Sequence, residues 1–277
     1  MKQLKSPLRY PGGKAKLYSI VQEIISQNTN GEICYYEPFA GGCGLALKLL
    51  GNEDVSTIHI NDCDFAIYSF WTSVLNETDR FCEKINNLEI NISEWKLQKD
   101  IYLNKERHDI FDIGFATFFL NRTNVSGIIK GGVMGGYNQS GKYKIDCRFN
   151  KKQLIKQIWD IAEYKDRIYV TNYNVFDLFK NDSFNIDNIF IYFDPPYVKK
   201  GSQLYRNSFN NDDHILLSDM IKNLKEKFIV TYDNQELIKD LYKDLSYNLI
   251  DIKYSAGTKR EAEEILILSE KITYDFN

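Results

Sequence analysis

At 277 residues, 43% of them hydrophobic, the chain can bury a large core, either as one big domain or as one domain carrying an insertion. No run approaches the roughly 18 apolar residues of a membrane span, and Met1-Lys2-Gln3-Leu4-Lys5 has no apolar stretch of the signal-peptide kind, so a cytoplasmic protein without a membrane partner is expected. The net charge of −3 is unevenly spread: residues 1–20 hold five Lys/Arg and no acid, and residues 121–156 hold eight Lys/Arg against Asp146 alone, which leaves −15 on the remainder. Charge so segregated suits a cationic face that grips a phosphate backbone, although a solvated loop would read the same way. Five cysteines without a C-x-x-C pair predict buried thiols, and three scattered histidines argue against metal catalysis.

In chain order, Leu17, Ile20, Val21, Ile24 and Ile25 have helical spacing within 15–28. Residues 33–37 predict a strand, the glycine-rich turn 38–44 leads into a helix over 45–50, and 56–60 predict a second strand ending at Asn61-Asp62. Strand, glycine turn and helix open a doubly wound sheet, in which an acid after the second strand can receive ribose hydroxyls; helix capping is the alternative for Asp62. Helical patterns over 65–75, 80–88, 93–103 and 110–120 interrupt the strand–helix alternation and predict an inserted helical subdomain. Residues 121–149, rich in Gly, Asn, Lys and Tyr, predict an ordered loop or hairpin. Alternation resumes with a helix over 152–164 and strands at 168–171, 189–193, 228–232, 247–253 and 264–268, with helices over 213–224 and 235–242. No helix fits between the last two strands, so they are expected to pair antiparallel.

The stretch that ties these elements to chemistry is Asp194-Pro195-Pro196-Tyr197, directly after the apolar run Ile189–Phe193. A strand buried on both faces would present it at the sheet's carboxyl edge, where ligands bind. The prolines stiffen the backbone and leave a carboxylate, outward carbonyls and a flat ring, all suited to an amino group on a planar heterocycle. A turn that merely stops a strand is the plainer reading.

The combination of Tyr10-Pro-Gly-Gly-Lys14, Glu37-Pro-Phe-Ala-Gly-Gly-Cys-Gly44, Asn61-Asp62, Leu120-Asn121-Arg122 and Asp194-Pro-Pro-Tyr197, in that order, resembles the Dam-type DNA adenine methyltransferases over most of the chain. The resemblance implies an α/β fold: a doubly wound, mainly parallel, seven-stranded Rossmann-like sheet with an antiparallel C-terminal strand pair. Residues 1–64 and 150–277 would form the catalytic domain and 65–149 an inserted target-recognition domain. It implies S-adenosylmethionine as methyl donor, contacted by Tyr10, Lys14, Phe39, Gly41, Asp62 and Asp194, and double-stranded DNA as partner, with a cognate restriction endonuclease as a possible companion. Asn174 departs from the family, standing where many members have Asp.

The residue chemistry agrees with this. Asp194 and the Pro195 carbonyl can accept the two N–H bonds of adenine's exocyclic amine and stabilise positive charge developing there, while Tyr197 stacks on a base flipped from the duplex. In this family the loop after L-N-R reaches the major groove, where an arginine reads guanine in GATC; the matching positions here are Val125, Ser126, Ile128 and Lys130. Lysine lacks arginine's two-toothed fork, so the expected adenine target is not simply GATC. Arg9, Asn121, Arg122, Ser126, Lys130, Lys142 and Lys144 are the expected DNA contacts, with Arg122 structural or on a phosphate. Methylation of an RNA adenine, a cytosine amine or a glutamine side chain, or DNA binding without catalysis, are the alternatives.

Overall fold

The five-residue strand Ile189–Phe193 is buried along its whole length. Its side chains alternate faces: Phe190 and Tyr192 enter one core, Ile189, Ile191 and Phe193 the other. A strand with two apolar faces needs a layer on each, and the rest of the chain supplies them. Each large side chain buried this way contributes about 1.5–3 kcal/mol of transfer free energy.

The computed structural model describes residues 2–9, 14–180, 186–198, 209–254 and 260–276. A short 3-10 turn, Lys14–Leu17, leads into α1 (Tyr18–Asn28), β1 (Cys34–Glu37), α2 (Gly44–Gly51) and β2 (Thr57–Asn61). The helical stretch follows: α3 (Phe65–Asn76), α4 (Thr78–Asn87), α5 (Ile92–Leu103), α6 (Ile110–Thr123) and, beyond a long loop, α7 (Lys151–Ala162). Then come β3 (Ile168–Thr171), α8 (Val175–Leu178), β4 (Ile189–Phe193), α9 (Asn211–Lys222), β5 (Lys227–Asp233), α10 (Glu236–Leu241), β6 (Ser246–Tyr254) and β7 (Arg260–Leu268).

Several helices begin before their apolar periodicity does, because polar caps start them. Asp64 accepts from the Ala66 N–H, Asn91 from Glu94, Asp109 from Asp112 and Asn150 from Gln153, each filling a donor that the first turn leaves open. Asn210 and Asp213 form a reciprocal capping box on α9.

The seven strands run in the order β3-β2-β1-β4-β5-β7-β6. Strands β1 to β5 are parallel, and β7 is antiparallel to both β5 and β6. The expected sheet and antiparallel pair are both present. The insertion of β7 between β5 and β6 has no signal in the sequence. On one face, α8, α9 and α10 cover Tyr36, Ile191, Val230 and Ile267. On the other, α1 and α2 share a continuous apolar cluster with the helical stretch α3–α7 and with Tyr35, Ile58, Tyr192 and Leu266 of the sheet.

Of the ordered loop or hairpin expected over 121–149, residues 124–149 take the ordered loop: the strand-like pairing described there is the single bridge Asn124–Val133, because glycine turns repeatedly break the extended runs. One expectation needs correcting, since the thiols are not all buried. Cys34, Cys43 and Cys82 are, whereas Cys63 and Cys147 are exposed, both in polar loops.

Candidate active site

Parallel strand order reverses at β1, whose neighbours are β2 on one side and β4 on the other. Loops leaving adjacent strands in opposite directions open a crevice at such a point. Here the loops are the glycine turn after β1 and Asp194-Pro195-Pro196-Tyr197 after β4, brought level by the pairing of Tyr36 with Ile191.

Asp62 and Asn61 hold the first edge of the crevice. Asp62 accepts the Gly41 N–H (2.9 Å) and the Asp64 N–H (2.9 Å), so it fastens the glycine turn, while Asp64, not Asp62, is the cap of α3. Buried Asn61 donates to the carbonyls of Pro38 and Tyr173 (3.0 Å each), linking the ends of β1 and β3. Gly41 has φ +47°, a left-handed conformation cheap only for glycine, and its carbonyl accepts the Trp71 indole N–H at 3.0 Å. Burial, with Asp64 nearby, pushes the Asp62 carboxyl up to about 7. Glu37, closing β1, is raised to about 8 by burial, with Asp194 adding to it, against the donors Tyr35 Oη and Ala46 N at 3.1 Å each. Asn174 caps α8 through the Phe176 N–H.

The second edge is a chain of polar side chains centred on Asp194. Tyr192 Oη lies 2.8 Å from Thr231 Oγ1, and the Thr231 hydroxyl donates to Asp194 Oδ1 at 3.3 Å. Lys14 Nζ lies 3.0 Å from Asp194 Oδ1 and 3.0 Å from Glu264 Oε1. Tyr197 Oη donates to Glu264 and accepts from Lys14. The Lys14 and Glu264 side chains are 5% and 1% exposed, and Asp194 keeps 25%. Burial raises Asp194 and Glu264, and Lys14 opposes the rise; burial works against the lysine's own charge but is outweighed by the two carboxylates, so its pKa is raised.

These edges face one cavity of about 540 Å³, walled by Glu37, Phe39, Gly41, Asp62, Lys14, Asp194 and Pro196 and, from α5 and the loop after α6, by Tyr102, Ile128 and Lys130. That volume lies in the range of small-molecule sites. Phe39, Gly41, Asp62 and Asp194 thus line one cavity. Tyr10 lies outside the described residues. Lys14, expected at the cofactor, also lines the cavity, and its ammonium there pairs with Asp194 and Glu264. The Tyr197 hydroxyl is likewise anchored on Glu264.

The loop after α6 is organised by two buried asparagines. Asn121, expected on DNA, is 1% exposed: it accepts the Arg9 N–H (2.7 Å) and donates to the carbonyls of Arg9 and Gly127 (2.9 Å each), so both amide hydrogens are spent within the protein. A Cβ on Gly127 (φ +78°) would meet the Arg9 carbonyl at 2.4 Å, so the two segments touch backbone to backbone. Asn124 accepts the Trp95 indole N–H (2.7 Å) and donates to the carbonyls of Ile128, Ile129 and Gly131. The Arg122 guanidinium ties down the carbonyls of Arg148 and Pro7, the structural one of its two expected roles, and burial lowers it to about 10. Half-buried Arg9 reaches the Asn124 carbonyl at 3.4 Å; Ser126 is partly exposed, and Lys130, Lys142 and Lys144 are exposed.

Glu264, Glu37 and Asn124 escaped the sequence reading. An acid opening the apolar run Ile265–Leu268 and another closing Cys34–Tyr36 were the available signals for the first two. Asn124, one turn after Asn121, was hidden by the polar composition of the loop.

The profile of the D12 class N6 adenine-specific DNA methyltransferase family matches residues 10–257. Among curated proteins, the chain is 24% identical to type II methyltransferase M.CviBI of Paramecium bursaria Chlorella virus NC1A, over 91% of each chain. It is 23% identical to type II methyltransferase M1.LlaDCHI of Lactococcus lactis subsp. cremoris, over 91% of this chain and 89% of that one. It is also 23% identical to modification methylase StsI of Streptococcus sanguinis, over 100% of this chain and 44% of that protein.

Proposed function

The chain belongs to the D12 class of N6 adenine-specific DNA methyltransferases, and from that premise we propose that the crevice between β1 and β4 carries the transfer of a methyl group from S-adenosylmethionine to a flipped adenine in duplex DNA. The observation that carries the assignment is the shared cavity: the glycine turn and Asp194 face one volume from adjacent strand ends.

The donor set fits the methyl donor. Glu37 is buried and Asp62 partly buried, their carboxyls raised to about 8 and about 7, and a cationic ligand would relieve both. Phe39, Gly41 and Asp62 would hold it, Asp62 through the lone pairs its two backbone bonds leave over. Bound there, S-adenosylmethionine supplies an electrophilic sulfonium methyl. Asp194 and the Pro195 carbonyl receive the two N–H bonds of the adenine amine, so that its nitrogen can pyramidalise and present its lone pair. As positive charge develops on that nitrogen the same acceptors stabilise it, and the Asp194 carboxylate takes the proton released. Tyr197, held by Glu264, offers its ring to the flipped base.

On the same reading, residues 65–149 form the target-recognition domain and 1–64 with 150–277 the catalytic domain. Arg9, Ser126, Lys130, Lys142 and Lys144 remain the DNA contacts. The type II and modification methylase names of the relatives favour pairing with a restriction endonuclease, and the same reading keeps a cytoplasmic setting in a bacterium or a phage-infected cell. Methyl-labelled S-adenosylmethionine offered with duplex DNA, RNA and peptide tests the function. Label is expected in duplex DNA, on the adenine amine, and label in RNA or peptide alone would overturn it.

A further inference from the structure

A buried charge is tolerated when it is paired, and among the described residues of the crevice one ammonium serves two carboxylates. Lys14 meets Asp194 and Glu264 at the same 3.0 Å, and both carboxylates draw on that one ammonium. The groups facing Asp194 come from every wall: Lys14 from the 3-10 turn, Glu37 from β1, Tyr192 from β4, Thr231 and Tyr232 from β5, Tyr197 from the loop after β4, and Glu264 from β7. Lys14 is the cation among them. Glu264 is anchored independently of Asp194: it sits in the ladder of β7, opposite Asp233 on one side and Ile250 on the other, and receives the Tyr197 hydroxyl. It therefore holds the ammonium from a rigid position behind Asp194.

We propose that Glu264 is a positioning residue of the methyl transfer, anchoring Lys14 on Asp194 and, by sharing that ammonium, setting how much negative charge Asp194 presents to the adenine amine. This rests on the reading of Asp194 as the amine's acceptor. A protonated Asp194 accepts poorly, and one fully claimed by lysine is a weak acceptor; Glu264 keeps it between those limits.

The two neighbours act on Asp194 with opposite sign. Glu264→Gln keeps acceptors for Tyr197 and Lys14 but removes a nearby negative charge and releases the ammonium to Asp194, so Asp194 should ionise at lower pH. Lys14→Met removes the stabilising cation, so Asp194 should ionise at higher pH. Shifts of about one pH unit in each direction are expected for charges at this separation. In the full chain, two measurements read them: the acid limb of the single-turnover methylation rate, and the Asp194 carboxyl signal in carbon NMR with 13C-labelled aspartate, identified by its loss in Asp194→Asn. Opposite displacements support the proposal, and either variant alone still tests its sign. Displacement in one direction for both, or an unmoved NMR midpoint with activity lost equally, marks a merely structural role and overturns it. If the NMR midpoints move as stated while Asp194→Ala still methylates DNA normally, the coupling stands and the acceptor role of Asp194 falls.

Discussion

Replacing Glu37 by glutamine should make the protein more stable at high pH and change little at low pH. Glu37 closes β1 inside the core, and its Oε1 accepts from Tyr35 Oη and Ala46 N at 3.1 Å each. Glutamine has the same shape and can accept both bonds, so the substitution removes a titration and little else. Burial, the largest cause, lifts the carboxyl from 4.5 to about 8. Because this pKa is raised in the folded state, the native protein binds more protons than the unfolded chain between those values, and stability falls as pH rises through that window. Carrying one carboxyl across it costs about 5 kcal/mol by the time both states are ionised. Urea denaturation at pH 5, 7 and 9 should find Glu37→Gln close to wild type at pH 5 and ahead by several kcal/mol at pH 9. Titrating groups distant from Glu37 cancel in that difference, and the coupling to Asp194 is the smaller part of the Glu37 shift. A difference independent of pH, or one that favours wild type at pH 9, would refute the reasoning.

Asp194→Ala should lower methyl transfer by about 10²–10³ or more while circular dichroism and the unfolding midpoint stay near wild type; near-normal turnover would end the mechanism. Asp62→Ala should weaken S-adenosylmethionine binding in calorimetry without DNA, since it frees the Gly41 N–H and loosens the turn; a loss confined to DNA affinity would reassign the residue. Asn124→Ala strands the Trp95 N–H and the Gly131 carbonyl, while the Ile128 carbonyl keeps the Gly131 N–H and the Ile129 carbonyl keeps Lys99, at a cost of about 1–3 kcal/mol for each buried group that water does not reach; loss of DNA recognition with unchanged cofactor binding is the expected outcome, and undiminished recognition the refuting one. Sequencing of methylated adenines in cells expressing the protein should give a target other than simple GATC. Lys130→Ala should relax one base position by about 1–3 kcal/mol, and removal of Lys142 or Lys144 should weaken all sequences alike; strict GATC modification would refute this reading of the loop.

The sequence by itself determined the elements and the order of the motifs. Ile189–Phe193 could only be a doubly buried strand, since five consecutive large apolar side chains alternate into two cores. The glycine turn, Asp62 and Asp194 were legible because each ends a strand, and parallel strands carry their ligands at that edge. Pairings between segments distant along the chain were not legible. The apolar run Ile265–Leu268 says that β7 is a strand but not that it lies between β5 and β6, and only that placement brings Glu264 to within 3.0 Å of Lys14, 250 residues away. In the same way, Asn121 was expected on DNA because it stands in the Leu120-Asn121-Arg122 motif that opens the basic loop. The tertiary structure turned it inward, because the carbonyls and N–H of Arg9 and Gly127 are packed backbone to backbone and need partners that water cannot reach.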